Sequence, residues 1–306
     1  MNKSICIIGV GKVGSALAFE LSTTGYEINY LIDRDIESLE LISSKLNPII
    51  SSSDIKKEFI EGADVVCICV QDKYLNSVVN EIIELDCNLD NRVFFHTSGA
   101  ESSAVFPSEK FNEKFTASVH PIQTFNKVSF ANQHLLQNIY FGIEGGESAM
   151  ELAKAFIGKM NSKYEMIPKD KKYLYHSACV ISSNFLITLL NVSSEIIGSM
   201  GIEKSKAFEM FRPIINETLK NISKDGLVNS LTGPFERNDV ETISRHLNSI
   251  NKELPSLIPF YTLLGMETVK VAFKKESLNL KNVVTMLDLM NEYIQNEFDQ
   301  TNKTII

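Results

Sequence analysis

The sequence predicts two domains: a doubly wound parallel α/β sheet over residues 1–168 and an all-α domain over residues 169–306. Three observations support this prediction. An apolar run near the N-terminus ends in a glycine-rich turn, short apolar runs then alternate with helical patterns as far as Pro168, and no strand pattern follows. With 306 residues, the chain is long enough for two domains of ordinary size.

The glycine-rich turn is the most specific of these signals. It follows the apolar run Ile5–Ile8 and precedes an amphipathic stretch that stops at Gly25. Its residues are Gly9, Val10, Gly11, Lys12, Val13 and Gly14. Gly9 permits a tight turn, Gly11 lets a pyrophosphate approach the backbone, and Gly14 lets the helix and strand pack closely. The pattern predicts a dinucleotide-binding fold in which the new helix points its N-terminal N–H groups at an anion.

The rest of the first domain alternates predicted strands and helices. The strands are expected at residues 28–32, 65–70, 92–96, 115–119, 139–143 and 164–167, and the helices at 74–85 and 148–160. The run 65–70 is apolar on both faces, which is typical of a buried parallel strand. We interpret Ser51–Ser53 as a polar connection. The alternation predicts right-handed crossovers within one sheet.

The second domain is predicted to contain only helices. They are expected at residues 171–199, 204–223, 239–249, 256–274 and 278–298. The first of these segments is apolar nearly all round, which predicts a centrally buried helix that can also pair with a partner subunit. We therefore expect a homodimer.

Composition and charge exclude several classes of protein. The formal charge of −8 argues against a nucleic-acid surface, and 44 % apolar residues indicate a globular chain. The five cysteines are odd in number and lie mostly in apolar runs, so the sequence predicts buried free thiols rather than disulfides or a zinc site. We find no signal sequence and no apolar run of membrane-spanning length, and expect a cytoplasmic enzyme.

Two strand ends in the first domain carry side chains that could do chemistry. Ser98 lies in the run His96–Ala100, and its hydroxyl can both donate and accept a hydrogen bond. His120 follows the strand at 115–119, and imidazole can hold or release a proton near neutral pH. Ligands of open α/β sheets bind beyond such strand ends, so both residues are candidates for catalysis. A helix cap or simple turn at Ser98 and a structural histidine at position 120 are the alternatives.

The long helix at the start of the second domain also carries candidates. Helical residues advance by about 100° each, so His176 and Ser183 lie within roughly 20° of one another, with Asn184 about 80° away. Buried polar groups need partners, and a substrate in a cleft between the domains would be one. The alternatives for these polar side chains are hydrogen bonds within the domain or a contact with a second subunit. Further along, Asp239 or Asn238 is predicted to cap a helix.

The end of the second strand bears on the choice of cofactor. Asp33 lies nineteen residues after Gly14, where a carboxylate would bind the ribose diol of NAD. Arg34, beside it, can stack on adenine and donate to a phosphate. The predicted cofactor-binding set also contains Val70, Gln71 and Thr97, near the ends of two further strands.

Taken in order, these motifs resemble those of one family. They are Gly9–Gly14, His96–Ala100, His120–Phe125, Tyr175-His176 with Ser183-Asn184, and Thr232–Pro234 with Arg237 and Asp239. That family pairs a Rossmann-like domain with a helical domain long labelled only as of unknown function. In plan it is similar to pyrroline-5-carboxylate reductases and β-hydroxyacid dehydrogenases. The resemblance covers nearly the whole chain.

The resemblance implies reduction of a small 2-oxo acid, with ketopantoate to pantoate, in pantothenate biosynthesis, as the best single candidate. It implies NADPH as the preferred cofactor, with NAD as the alternative, because Arg34 stands where the family would hold a 2′-phosphate. His120 or His176 would protonate the alkoxide, while Ser98 and Asn184 would orient the substrate.

Other activities and departures stay open. The turn His120-Pro121 resembles that of prephenate dehydrogenases, where a serine and this histidine lie by the substrate. An imine reductase of the pyrroline-5-carboxylate kind, a prephenate-type dehydrogenase and a nucleotide-sensing protein without turnover are the alternatives. Standard ketopantoate reductases use a lysine and a glutamate of the helical domain. Lys172 lies one turn before His176, but a solvated helix start explains it as well, so neither residue is assigned here. Arg237 could hold a carboxylate or lie in solvent.

Overall fold

The fold was obtained as a computed structural model, which describes residues 3–126 and 134–304. The chain divides into two compact units, Met1–Leu186 and Ile187–Ile306. The sequence places its domain boundary at residue 168, just after the last strand, whereas the compact units divide later, within a long helix. The first half of that helix belongs to the unit that contains the sheet.

One sheet of eight strands organises the first unit. The strands are β1 (Ser4–Ile8), β2 (Glu27–Ile32), β3 (Ile50–Ser52), β4 (Val65–Ile68), β5 (Val93–His96), β6 (Thr116–Pro121), β7 (Tyr140–Gly145) and β8 (Lys163–Met166). Their order is β3-β2-β1-β4-β5-β6-β7-β8. The order reverses between β1 and β4, where ligands of doubly wound folds bind at the carboxyl ends of the strands. The predicted fold class is confirmed.

Helices cover both faces of this sheet. They are α1 (Lys12–Thr23), α2 (Ile36–Leu46), α3 (Lys57–Glu61), α4 (Asp72–Glu84) and α5 (Glu147–Lys159). Side chains of a strand point alternately to opposite faces, so Ile5 and Ile7 join one core while Cys6 and Ile8 join the other. Because both faces are buried, β1 and β4 are almost entirely apolar, as expected of parallel strands.

Two details of the sheet differ from the sequence prediction. Ile50–Ser52 is an edge strand that pairs with β2, not a polar connection. An edge strand with one solvent-facing side tolerates serine, so its sequence lacks the apolar signature. In addition, β7 runs antiparallel to β6, with Val119 opposite Ile143, so the sheet is parallel on each side of this junction but not across it.

The remaining chain is helical, and within the described residues no strand follows β8. The helices are α6 (Lys172–Ser199), α7 (Lys204–Asp225), α8 (Val240–Glu253), α9 (Ile258–Lys274) and α10 (Leu280–Thr304). Asp239 caps α8 by accepting a hydrogen bond from the Thr242 N–H at 3.0 Å, as one of the two predicted alternatives. The core of the second unit includes Leu247, Val269 and Met290.

The prediction that α6 is centrally buried is wrong. Ile181, Phe185 and Ile187 are 59 %, 54 % and 67 % exposed. By length and composition alone, the helical segment Lys169–Ser199 is long and apolar enough to cross a membrane. This corrects the prediction that no apolar run reaches membrane-spanning length. A helix that is apolar all round favours burial of its whole surface, but the pattern does not show whether this chain or another molecule buries it.

Candidate functional site

The glycine turn connects β1 to α1 and packs as its sequence predicts. Gly9 has a φ of +89°, which side chains rarely adopt, and a Cβ there would lie 2.9 Å from the Cys69 carbonyl group. A Cβ on Gly14 would overlap the Gly9 carbonyl oxygen, so Gly14 permits the close contact of helix and turn. At Gly11 no atom lies within 4 Å of the position of a Cβ. This open space is where a ligand can approach the backbone.

A cavity of about 920 Å³ extends from this turn across the carboxyl ends of the strands, within the first unit. It is lined by most of the predicted residues: Gly9, Gly11, Lys12, Val13, Asp33, Arg34, Val70, Gln71, Thr97, Ser98, His120 and His176. We call the part around Ser98, His120 and His176 the histidine end, and the part around Asp33 and Arg34 the arginine end. The structure thus brings together residues up to 167 positions apart in sequence.

Three predicted residues do not line this cavity. Val10 is buried and Gly14 packs against Gly9, so both shape the turn from behind. Asn184 is exposed and lies eight residues after His176, roughly 12 Å further along α6 at 1.5 Å per residue. The structure therefore does not bring Asn184 to the candidate site. Arg237 is exposed in the second unit.

At the arginine end, the two charged residues have different surroundings. Both carboxylate oxygens of Asp33 accept backbone hydrogen bonds, from the Val10 N–H at 2.6 Å and the Asp35 N–H at 2.9 Å. The Arg34 side chain is 84 % exposed and forms an ion pair with Glu81 at 3.1 Å. Asp33 therefore stabilises the glycine turn, while the Arg34 guanidinium stands at the rim of the cavity.

Glu81 is a residue of this site that the sequence analysis did not select. It lies on α4, on the same face as Tyr74, Ser77 and Val78, and all four line the cavity. Their spacing of three, four and seven residues is that of one helix face, which was available in the sequence. The sequence does not show that this face of α4 lines the cavity, because its direction depends on how α4 packs on the sheet.

At the histidine end, Ser98 lies in a turn that is tightly hydrogen-bonded. Its Oγ accepts hydrogen bonds from the N–H groups of Ala100, at 3.2 Å, and Glu101, at 2.9 Å. The Ser98 N–H in turn donates to Nδ1 of His96, which is fully buried in the core. The alternative of a turn-forming serine therefore holds, yet the serine also lines the cavity and its own hydroxyl proton can face a ligand.

The two histidines meet across Gly99. A Cβ on Gly99 would lie 2.7 Å from His176 Nδ1 and 2.8 Å from His120 Nε2, so only glycine lets both rings approach the turn. The ring centroids are 6.1 Å apart. His176 Nδ1 is buried and, among the described residues, has no hydrogen-bond partner. A buried polar atom in this state is expected to be completed by a ligand.

Tyr175 fixes the orientation of His120. The Tyr175 hydroxyl lies 2.7 Å from His120 Nδ1, and burial raises the pKa of this tyrosine above its usual value. A phenol that keeps its proton can donate a hydrogen bond to Nδ1 of the neutral ring, and in that tautomer the histidine proton lies on Nε2. Burial, Lys172 and His176 lower the pKa of His120 to about 3, so the ring is a neutral hydrogen-bond donor at pH 7.

Lys172 is the largest departure from the sequence analysis at this site. Its side chain is 2 % exposed, not a solvated helix start. The ammonium group donates to the Ser98 carbonyl oxygen at 3.1 Å and to Ser118 Oγ at 2.7 Å. Lys172 and His176 are four residues apart, on one face of α6, and this spacing was the sequence signal that the lysine faces the site.

Two family models match the chain. A model described as NADP oxidoreductase coenzyme F420-dependent matches residues 4–93, which include the glycine turn. A domain of unknown function, DUF2520, matches residues 139–268. Each match covers less than half of the chain, and together they support similarity to NAD(P)-dependent oxidoreductases that join a Rossmann domain to a helical domain. No curated protein matches the sequence.

Several solved structures have the same fold as this chain. Protein TM1727 from Thermotoga maritima is 25 % identical, with a TM-score of 0.70 over 89 % of this chain and 99 % of that chain. Pyrroline carboxylate reductase from Plasmodium falciparum, solved with NADP bound, is 12 % identical, with a TM-score of 0.56 over 94 % and 98 % of the two chains. Prephenate dehydrogenase from Aquifex aeolicus is 15 % identical, with a TM-score of 0.54 over 88 % and 100 %. At these identities, the last two show the fold alone.

Proposed function

We propose that this oxidoreductase reduces a small 2-oxo acid with NADPH, and that ketopantoate is its best candidate substrate. The observation that carries the proposal is the continuous cavity, which joins the glycine turn to Ser98, His120 and His176. The choice of ketopantoate rests on the motif resemblance over nearly the whole chain. These polar groups suit a small, polar substrate that places a carbonyl oxygen between hydrogen-bond donors.

The residues of the cavity fit a dinucleotide. The open space at Gly11 and the N-terminus of α1 suit its pyrophosphate, and Arg34 at the rim suits a 2′-phosphate. Asp33 has both oxygens engaged by backbone N–H groups, which reduces its repulsion of that phosphate. When bound, the cofactor supplies a hydride to the carbonyl carbon of the substrate.

The chain itself orients the substrate and manages the proton. His120 donates its Nε2 proton as a hydrogen bond to the carbonyl oxygen, and Tyr175 holds the ring in this tautomer. The Ser98 hydroxyl donates a second hydrogen bond. His176, whose Nδ1 is buried and open to a ligand, delivers the proton that neutralises the alkoxide as it forms. General acid catalysis of this kind contributes about 10²–10⁴-fold.

Turnover with a substrate panel tests the proposal. The panel contains 2-oxo acids including ketopantoate, cyclic imines and, with the oxidised cofactor, prephenate, each followed at the nicotinamide absorbance. Ketopantoate is expected to give the highest kcat/KM, and His176→Ala to lower it by about 100-fold. Preference for a cyclic imine or for prephenate would assign one of those activities instead. Binding of NADPH without turnover of any member would indicate a nucleotide sensor. Wild-type turnover after replacement of both histidines by alanine would exclude them from the chemistry.

The cofactor preference has its own test. In Arg34→Ala, KM for NADPH is expected to rise much more than KM for NADH, because only NADPH carries the 2′-phosphate that Arg34 would hold. An equal effect on both cofactors, or a wild-type enzyme that prefers NADH, would show that Asp33 decides the choice.

We also propose that the protein is a cytoplasmic homodimer. Exposed apolar side chains of α6, among them Ile181 and Phe185 four residues apart, form a face that a second copy could cover. Sedimentation at micromolar concentration is expected to give a species of twice the 34.3 kDa chain mass. A 34 kDa species alone would refute the dimer.

A further inference from the structure

Lys172 carries a buried charge that the reaction scheme above does not use. It is the first residue of α6, and both of its hydrogen-bond acceptors, the Ser98 carbonyl oxygen and Ser118 Oγ, are uncharged. Ser118 is itself fully buried on β6, and its hydroxyl also donates to the Ser98 carbonyl oxygen, at 3.1 Å. Burying an ammonium group without an adjacent carboxylate costs free energy of folding. We therefore expect this lysine to have a role in the function of the site.

The groups that face this lysine come from five parts of the first unit. They are Tyr175, His176 and Cys179 on α6, His96 on β5 with Glu101 in the turn that follows, Ser118 and His120 on β6, Glu144 on β7, and Asp72 on α4. The carboxylates act through space, and burial nevertheless lowers the pKa of Lys172 to about 8. The lysine is thus charged at pH 7 and loses its proton just above it.

We propose that Lys172 is a positioning residue whose ammonium group joins the Ser98 turn to Ser118 on β6 and thereby fixes the place of His120 on the same strand. Two observations support this. Lys172 lies behind the turn and does not line the cavity, so it acts through Ser98 and His120 rather than on a ligand. Burial and, after it, the charge of Lys172 lower the pKa of His120, which places the two side chains within each other's electrostatic reach. The inference deepens the proposed function and rests on it for the role of His120.

The first experiment needs no substrate. Histidine ring resonances of the whole protein are recorded by NMR at pH 7 in the wild type and in Lys172→Met, with His120 assigned from the spectrum of His120→Asn. Loss of the ammonium group is expected to shift the His120 resonances, because the Ser98 turn and Ser118 lose the donor that bonds to both of them. Lys171→Met is the matched control, since Lys171 is 59 % exposed and pairs with Asp170. Unchanged His120 resonances in Lys172→Met would overturn the proposal.

The second experiment uses turnover and separates positioning from mere structural support. Wild-type kcat is expected to fall with rising pH along a limb near pH 8, where Lys172 loses its proton. In Lys172→Arg the charge persists, so this limb should disappear or move above pH 10. Lys172→Met should lower kcat by roughly 10-fold or more, with KM for NADPH within about 3-fold. A wild-type pH profile in Lys172→Arg would overturn the proposal, even if Lys172→Met does not fold.

The two experiments keep this inference distinct from the proposed function. If no 2-oxo acid is reduced but the His120 resonances shift as expected, the proposed function fails and the influence of Lys172 on His120 stands. If turnover is found but neither the His120 resonances nor the pH limb responds to position 172, the function stands and Lys172 only supports the fold.

Discussion

The histidine end and the arginine end of the cavity hold their charged groups in opposite ways. At the histidine end, Lys172 is 2 % exposed and Ser98 is 6 % exposed, with hydrogen bonds that fix both. At the arginine end, the Arg34 side chain is 84 % exposed and its partner Glu81 is 33 % exposed. The side chains at the histidine end are held in place by packing and hydrogen bonds, whereas those at the arginine end are exposed to solvent.

This difference determines how strongly each end depends on single residues. Two unit charges 4 Å apart interact by about 1 kcal/mol in bulk water but about 4 kcal/mol at an effective dielectric constant of 20. Exposed pairs are also screened by salt. Substitutions at the histidine end should therefore have large effects on turnover, and substitutions at the arginine end should have small, salt-dependent effects on cofactor binding.

The largest effect is expected for Gly99→Ala. The added methyl group would lie 2.7 Å from His176 Nδ1 and 2.8 Å from His120 Nε2, so at least one ring must move. A displacement of about 1 Å at a reacting group can cost about 100-fold, and we expect kcat/KM to fall by about that factor. NADPH binding at the glycine turn should change little. Gly158→Ala is the control, because nothing lies within 4 Å of a Cβ there. Equal activity of the two variants would show that the histidines do not need this packing.

Acid lability is the second prediction. Burial holds the pKa of His96 and of His120 near 3 in the folded protein, against about 6.5 in the unfolded chain. Below pH 6.5 the unfolded state thus binds more protons, so stability falls as the pH decreases from 6.5 towards 3. Each histidine should cost about 3 kcal/mol by pH 4, at about 1.4 kcal/mol per pKa unit.

Urea unfolding at pH 7 and at pH 4 measures this loss. Carboxylates titrate in the same range, so the comparison is made with His120→Asn, which should lose less stability on acidification than the wild type does. An identical pH dependence of the two proteins would show that His120 is not held neutral by the fold.

A smaller effect is expected for Tyr175→Phe. The change removes the hydroxyl that lies 2.7 Å from His120 Nδ1 and leaves the ring in place. Without that donor the imidazole is free to adopt the other tautomer, and we expect kcat to fall by roughly 10-fold with little change in KM for NADPH. Tyr173→Phe is the control, because Tyr173 is exposed and its hydroxyl bonds to Glu101. If both variants keep wild-type kcat, Tyr175 does not set the tautomer.

Local patterns made one part of the molecule predictable from sequence. The glycine turn and its flanking strand and helix are adjacent in the chain, so their geometry follows from local backbone rules. The helices after Pro168 were predictable for the same reason, since an apolar period of 3.6 residues is a local property. The prediction missed β3, because Ser51 and Ser52 on an edge strand carry no apolar period.

What depends on tertiary packing was not predictable. The sequence shows that Lys172 starts a helix, but its burial results from the positions of β5 and β6 beneath it. Likewise, the apolar pattern of α6 is the same for a core helix and for an exposed face, and the prediction chose wrongly. Asn184 was placed with His176 by angle around the helix, while its distance along the helix separates it from the cavity.

The smallest effect is expected for Glu81→Gln, and it tests the arginine end directly. Without the Glu81 charge, Arg34 loses its partner at 3.1 Å and is free to pair with a 2′-phosphate. We expect Kd for NADPH to fall by about 3-fold in low salt, since exposed ion pairs contribute about 0.2–1 kcal/mol, while Kd for NADH stays unchanged. At high salt the gain should shrink, because the Debye length falls to about 3 Å at 1 M. Glu84→Gln removes the same charge three residues along α4, from a carboxylate that does not line the cavity, and is the control. Equal tightening of NADPH by both variants would assign the effect to net charge. Equal tightening of NADPH and NADH by Glu81→Gln would show that Arg34 does not distinguish the two cofactors.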